Sequence, residues 1–317
     1  MLENKMLNVS SSPHAASGAT TQKIMLDVIL ALMPVTVYGV YLFGYRAAII
    51  IVLCILSCVI SEYLWQKWTH RPIRVNDLSA VVTGLLLALN LPSTVPFWIP
   101  VLGGFFAIII VKQLYGGIGQ NFMNPALAAR CFLLLSFTRI MTTFPAVDGV
   151  TSATPLAAVK AGETAKLLHP FLSNPYGVIG EASAMLLLVG GLYLVVRKII
   201  SVRIPLVYVG SVALLMALFN GRWEWNYVGA QVCNGGLLLG AIYMATDYVT
   251  SPVTPWGQVV FAVLIGLVTS VFRTFGASAE GVSYAILIGN MTVPLIERAT
   301  MPRHFGAKPW KREGAAK

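Results

Sequence analysis

Charge is what this sequence has least of. Asp, Glu, Lys and Arg together make up 11% of its 317 residues, where soluble domains carry about 25%. With 57% hydrophobic residues and a mean hydropathy of +0.76, that scarcity excludes a soluble globular domain and predicts a polytopic membrane protein. Acidic residues are rarer still, 12 against 22 basic ones, for a net charge of +10. Such an excess could serve nucleic acid, but the lysines and arginines sit between apolar spans and at the C-terminus. That is the pattern of cytoplasmic membrane loops, so a nucleic-acid partner is not expected. Only four cysteines occur, Cys54, Cys58, Cys131 and Cys233, all in apolar stretches. Cys54 and Cys58 would share a helix face, but without a partner His or a second pair they read as small packing residues and not as a metal site. A Walker-type phosphate loop, an HExxH motif and a CxxC pair are all missing. Met1 to Lys23 is polar and lacks the apolar core of a cleavable signal.

What is present is a series of apolar stretches. They run over Ile24–Phe43, Ala47–Leu64, Leu78–Asn90, Pro96–Val111, Asn124–Phe137, Ala182–Ile200, Ile204–Asn220, Gly229–Ala245, Trp256–Phe275 and Gly281–Glu297. A bilayer needs about 17–25 residues per helix, so the third and fifth are short. Short segments interrupted by Gly and Pro tend to line a site. Ten spans place both termini on one side. Fifteen basic residues fall on that side and six on the other, which puts the termini in the cytoplasm. A faint repeat runs through the chain: Pro96-Phe97 matches Pro255-Trp256, Gly116 matches Gly276, and Ala126 matches Ala285. Halves of five spans each must be inserted upside-down relative to one another. The expected fold is therefore an all-α polytopic membrane protein of about ten transmembrane helices in two inverted five-helix repeats. Residues 1–23 form a cytoplasmic N-terminal segment, 24–137 the first repeat and 138–181 an extracytoplasmic loop. Residues 182–298 form the second repeat and 299–317 a basic cytoplasmic tail.

Three polar constellations interrupt the apolar background. Gly116-Gly117-Ile118-Gly119-Gln120-Asn121-Phe122-Met123-Asn124-Pro125-Ala126 precedes the fifth span. It reads equally as a capped helix start, with Asn124 as cap and Pro125 at the first helical position, or as paired amides presented to the polar edge of an isoalloxazine ring. Arg130 lies two turns on. A mid-span arginine facing lipid costs roughly 3 kcal/mol on insertion scales, so it should face the bundle interior, opposite a carboxylate, backbone carbonyls or an anionic cofactor. Asp27 and Glu297 read as solvated or dipole-satisfied groups at helix ends. Asp247, with Thr250, Ser251 and Thr254 around Pro252, is the better candidate for a polar pocket. The third constellation, Asp148-Gly149-Val150-Thr151-Ser152-Ala153-Thr154, lies inside the longest polar interval. By local chemistry alone, Thr154 before Pro155-Leu156 is a helix N-cap.

That third stretch also resembles the flavinylation motif of the RnfD and NqrB membrane subunits, Asp-x-x-Ser/Thr-Gly/Ser-Ala-Thr. Asp148, Thr151, Ala153 and Thr154 match, and Ser152 stands where many members have Gly. Ser11-Ser12-Pro13-His14, Asp27-Val28-Ile29-Leu30-Ala31-Leu32-Met33-Pro34 and Asn121 to Ala126 resemble the same family, so the likeness covers essentially the whole chain. It implies FMN bound covalently through a phosphoester to Thr154, and a non-covalent riboflavin placed at Asn121 and Asn124. It also implies a subunit of the Rnf complex, which passes electrons between ferredoxin and NAD and couples them to Na+ or proton movement. The partners implied are the other Rnf subunits, including a second FMN-bearing subunit and iron–sulfur subunits. The fold implied is urea-transporter-like. A threonine hydroxyl is a poor nucleophile without a base, and the motif holds no His or Lys. A separate flavin transferase using FAD and Mg2+ is therefore expected, with Asp148 read by that enzyme. The alternatives are an NqrB-like subunit of a Na+-pumping NADH:quinone reductase, a cofactor-free small-solute transporter, and a scaffold that only holds electron carriers together.

Overall fold

The computed structural model describes residues 20–144, 156, 171–175, 177–276 and 281–302. Among them every regular element is helical. Besides a single helical turn at Thr138–Met141, the α-helices are α1 (Thr21–Phe43), α2 (Tyr45–Trp68), α3 (Ser79–Leu89), α4 (Trp98–Phe105), α5 (Pro125–Ser136), α6 (Ala184–Val196), α7 (Arg203–Asn220), α8 (Trp225–Cys233), α9 (Leu237–Leu239), α10 (Pro255–Phe275) and α11 (Val282–Thr300). Two π-helical stretches extend this set: α4 continues through Phe106–Gln113, and α9 through Gly240–Met244. Of these, α1, α2, α7 and α10 are long and apolar enough to cross a membrane, and α3, α4 with its π extension, α5 and α6 are shorter apolar helices.

Local chemistry explains where several helices begin and end. The Thr20 hydroxyl accepts from Lys23 N at 3.3 Å to start α1. Asn124 Oδ1 accepts from Ala126 N at 3.1 Å and Leu127 N at 3.3 Å, with Pro125 at N1 of α5. Thr254 accepts from Gly257 N at 3.1 Å ahead of Pro255 in α10. Each cap satisfies backbone donors that a helix start leaves open, and proline there gives up an N–H with no intrahelical partner.

One contiguous apolar cluster joins the early and late helices, from Leu32, Ile50 and Leu87 to Tyr208, Phe261 and Ile265. Within the first part α2 packs on α3 and α4; within the second α7 packs on α10, and α10 on α11; α1 packs on α6 across them. The outward faces are apolar too, as with Leu206, Leu214 and Leu218 of α7, and helices apolar all round suit a lipid surround. Two close approaches depend on glycine. A Cβ on Gly84 of α3 would lie 2.7 Å from Ile55 Cα and 2.9 Å from Cys54 O of α2. One on Gly190 of α6 would collide with Ala31 O of α1 and with Tyr243 Oη. Gly190→Leu is therefore expected to force α1 and α6 apart and to destabilise by at least ~1–3 kcal/mol, the usual range for overpacking. Thermal unfolding of the detergent-purified protein measures this; an unchanged midpoint would contradict the tight crossing.

The structure corrects some details of the spans. The stretch expected to be continuous over Gly229–Ala245 is broken: α8 ends at Cys233, and α9 restarts after Gly235 and Gly236, with φ of 70° and 67°. Two consecutive residues in the left-handed region cannot continue a right-handed helix. The fourth stretch runs on past Val111 to Gln113, carrying Lys112 into the protein. Among the repeat markers, Pro96 lies just before α4 and Pro255 opens α10, Gly116 and Gly276 follow the corresponding helix ends, and Ala126 and Ala285 lie in the first turns of α5 and α11.

Candidate functional site

The Gly-rich link between α4 and α5 needs its glycines: Gly116, Gly117 and Gly119 have φ of 123°, 99° and 86°, which residues with a Cβ seldom adopt. The link delivers Asn121 and Asn124, both buried, to the edge of a pocket between the early and late helices. Met25, Thr83, Thr246 and Asp247 line the same pocket, which holds about 810 Å3 of empty space, its mouth included. A largely apolar pocket with a few convergent polar groups is the usual form of a small-molecule site. Asn121 Nδ2 donates to Met123 O at 3.1 Å, and Asn124 Nδ2 to Met244 O at 3.4 Å. With its amide turned so that nitrogen donates to Thr250 O and Ile286 O, Asn290 accepts from Asn124 N at 3.2 Å. Asn124 is thus a helix cap that also faces the pocket, and the two readings of this stretch coexist. Asp247 accepts from Thr250 Oγ1 at 3.3 Å and Val249 N at 3.4 Å and lines this largely apolar pocket, whose lining does not include Thr250, Ser251 or Thr254.

A second cluster adjoins this pocket and was missed by sequence reasoning, which counted Lys112 among loop cations. Lys112 is 3% exposed and donates to both Glu62 oxygens, at 2.9 and 3.0 Å, and to Ser79 Oγ at 2.6 Å. Gln113 Nε2 donates to Glu62 Oε1 at 2.7 Å. Consecutive side chains reach one carboxylate because the π stretch fits more residues into each turn, bringing neighbours closer in angle than an α-helix does. Ser79 is held by Asp77, which accepts from its N and Oγ at 2.9 and 2.6 Å, after Leu78 at φ 62°. The ion pair thus fastens α2, the α4 extension and the start of α3. It also borders a second, more polar cavity lined by Gln66, Arg74, Asp77 and Gln120. The only hint in the sequence was a charged residue at the end of each of two apolar runs.

Arg130 is placed where its cost demanded, buried and facing inward. It donates to Asn90 Oδ1 at 2.8 Å and Ser283 Oγ at 3.0 Å. Its Nη1 lies 3.6 Å, and Glu181 Oε1 3.4 Å, from where a Cβ on Gly236 would be. Arg130 is not among the residues lining the Asn121–Asn124 pocket; it sits farther along α5, between that pocket and the broken α8–α9 junction. Asp148, Thr151, Ser152, Ala153 and Thr154 lie outside the described residues. Leu156, two positions past Thr154, is described, and it is buried with Cδ2 2.7 Å from where a Cβ on Gly235 would be.

The solvated reading of Asp27 is corrected. It lies inside α1, is 8% exposed, and accepts from Tyr193 Oη at 2.7 Å and Arg197 Nη2 at 3.2 Å of the α6 region. Glu297 lies in the last turns of α11 and accepts from Val253 N at 3.2 Å. Cys54, Cys58 and Cys131 are buried free thiols, and no group of three metal-ligating side chains occurs among the described residues.

The family described as the NQR2, RnfD, RnfE family matches this chain over residues 8–306. The chain belongs to that family. Among relatives, it is 48% identical over 318 residues to the D subunit of the Na(+)-translocating ferredoxin:NAD(+) oxidoreductase complex of Acetobacterium woodii, covering 98% of both chains. It is 40% identical over 326 residues to the D subunit of the proton-translocating ferredoxin:NAD(+) oxidoreductase complex of Clostridium ljungdahlii, covering 97% of this chain and 98% of that one. Identity to the D subunit of the ion-translocating oxidoreductase complex of Stutzerimonas stutzeri is 39% over 328 residues, covering 91% and 93%. Family membership extends through every helix that builds the pocket, the buried ion pair and the Arg130 cluster.

Proposed function

We propose that this chain is the membrane subunit of an Rnf-type ferredoxin:NAD oxidoreductase that carries FMN covalently on Thr154 and passes electrons in a reaction coupled to ion movement. The observation that carries this reading is the coincidence of near full-length similarity to these D-type subunits with the Asp148–Thr154 stretch. FMN supplies a carrier able to take two electrons and release them singly; the protein supplies its position and electrostatics. In the attachment, the Thr154 oxygen replaces AMP on the flavin-side phosphorus of FAD, and its proton leaves with AMP. A transferase supplies the activation, recognising Asp148 with Thr151, Ser152 and Ala153.

Riboflavin is proposed for the Asn121–Asn124 pocket, whose apolar lining with a few convergent polar groups suits a planar ring carrying polar edge atoms. Arg130, whose Nη1 is held by Asn90 and Ser283, does not line that pocket and would act on a flavin there from a distance. We further propose two inverted five-helix halves, cytoplasmic termini, and the 138–181 segment outside the cytoplasm. The other subunits of the complex, flavin-bearing and iron–sulfur, would be its electron partners. Relatives named for Na+ translocation and for proton translocation are both similar to this chain.

A denaturing gel tests the proposal. The full chain, produced with its transferase, should give a flavin-fluorescent band at 34.2 kDa; a dark band would favour a cofactor-free transporter or a scaffold. Replacing Asn124 with Leu is expected to leave that band intact while lowering extractable riboflavin at least about fivefold, since a buried polar partner left unpaired costs ~1–3 kcal/mol. Unchanged riboflavin would remove the second site.

A further inference from the structure

The loop that joins α2 to α3 is built around one buried side chain. Gln66, in the last turn of α2, accepts Arg74 N on Oε1 at 2.8 Å, and its backbone oxygen accepts Arg71 N at 2.9 Å. Just before Arg71, His70 takes a φ of 52°, a conformation that residues with a Cβ seldom adopt. The loop thus holds Arg71 and Arg74, both exposed, against the polar cavity beside the Glu62–Lys112 pair. That cavity holds about 940 Å3 of empty space, its open mouth included, and Gln120 lines it from the Gly-rich link. The carboxylates of its lining are already engaged. Glu62 accepts from Lys112, from Gln113 and, at 3.3 Å, from Gln66 Nε2, and Asp77 accepts from Ser79. Neither guanidinium forms an ion pair or a hydrogen bond with a described residue. Arg71, Arg74 and Lys112 against Glu62 and Asp77 leave one formal positive charge at the cavity.

The surroundings narrow the kind of anion. Exposed Trp68 ends α2, and exposed Ile73 lies between the two arginines in sequence. Leu114 and Tyr115, also exposed, come just before Gly116 and Gly117 of the cavity lining. Tryptophan and tyrosine gather where a bilayer meets water, and α2 is long and apolar enough to cross one. A polar, cationic interior flanked by exposed apolar side chains at that boundary suits an amphiphile. We propose that this cavity binds the headgroup of a monoanionic phospholipid of the phosphatidylglycerol type, with its phosphodiester between Arg71 and Arg74. The phosphodiester carries the one negative charge that balances the site. Guanidinium groups pair with phosphate oxygens through parallel N–H bonds, and basic pockets between membrane helices are recurrent headgroup sites. The acyl chains would run along the flanking apolar residues. The site is independent of Thr154 and of any flavin.

The test titrates the full chain, held in phosphatidylcholine nanodiscs, with phosphatidylglycerol that carries an acceptor dye on an acyl chain. Energy transfer from the protein's tryptophans reports binding, and the parent should show a saturable site. Each basic residue beside an anionic headgroup contributes about fivefold, so Arg71→Gln and Arg74→Gln together should weaken binding about twenty-five-fold. Both side chains are exposed, and both backbone anchors to Gln66 remain, so the double variant keeps its fold. Arg203→Gln removes another exposed arginine, at the start of α7, and should leave binding unchanged. Equal binding by the parent and the double variant, or an equal loss in Arg203→Gln, overturns the site. Inorganic phosphate is the second probe. Titrated calorimetrically into the parent in nanodiscs of phosphatidylcholine alone, it should give no binding heat at millimolar concentration. Phosphate binding without any preference for phosphatidylglycerol over phosphatidylcholine would assign the cavity to a free anion and overturn the lipid.

Discussion

Lys112→Ala is expected to destabilise the protein by about 3–5 kcal/mol, the usual cost of leaving one member of a buried ion pair without the other. Glu62 would keep its burial and the Gln113 bond but lose both contacts to Nζ, and Ser79 would lose its donor. The start of α3 would loosen with it, because Ser79 is the first residue of that helix. Replacing Glu62 and Lys112 together with methionine should cost far less than the sum of the two single changes, since an apolar pair of similar volume avoids the desolvation of either charge. Thermal unfolding in detergent of the two single variants and the double variant measures the coupling. Additive losses would mean that the pair is incidental to the fold.

Thr154→Ala is expected to have the largest functional effect, complete loss of covalent flavin with the helical fold retained. The expected all-or-none result follows from chemistry: alanine has no oxygen to form the phosphoester, and no other residue can inherit a linkage that a transferase builds on one recognised hydroxyl. Circular dichroism should show the helical content of the parent protein. Flavin that survives denaturation in Thr154→Ala would move the acceptor elsewhere.

Composition and periodicity made the helices legible, because a bilayer imposes long apolar runs that little else produces. The Asn124–Pro125 cap was readable for the same local reason, and so was the inward direction of Arg130, which lipid would not tolerate. Three features could not be read. Lys112 looked like a loop cation because its burial depends on a π stretch, which no periodicity announces. Asp27 looked solvated because its partners, Tyr193 and Arg197, are more than 160 residues away in sequence. The eighth span looked continuous because Gly235 and Gly236 are compatible with a helix until tertiary packing holds both in the left-handed region. The candidate site divides along the same line. The amides and Arg130 were visible as costly polar groups in an apolar setting, whereas their relation to Asp247, Asn90 and Ser283 needed the folded chain.

One measurement bears most directly on the central claim: the mass of the peptide that contains Thr154, isolated from the protein made in a host with the transferase. An added riboflavin-phosphate on Thr154, located by fragmentation, is the predicted result. An unmodified peptide from protein of full helical content would contradict it.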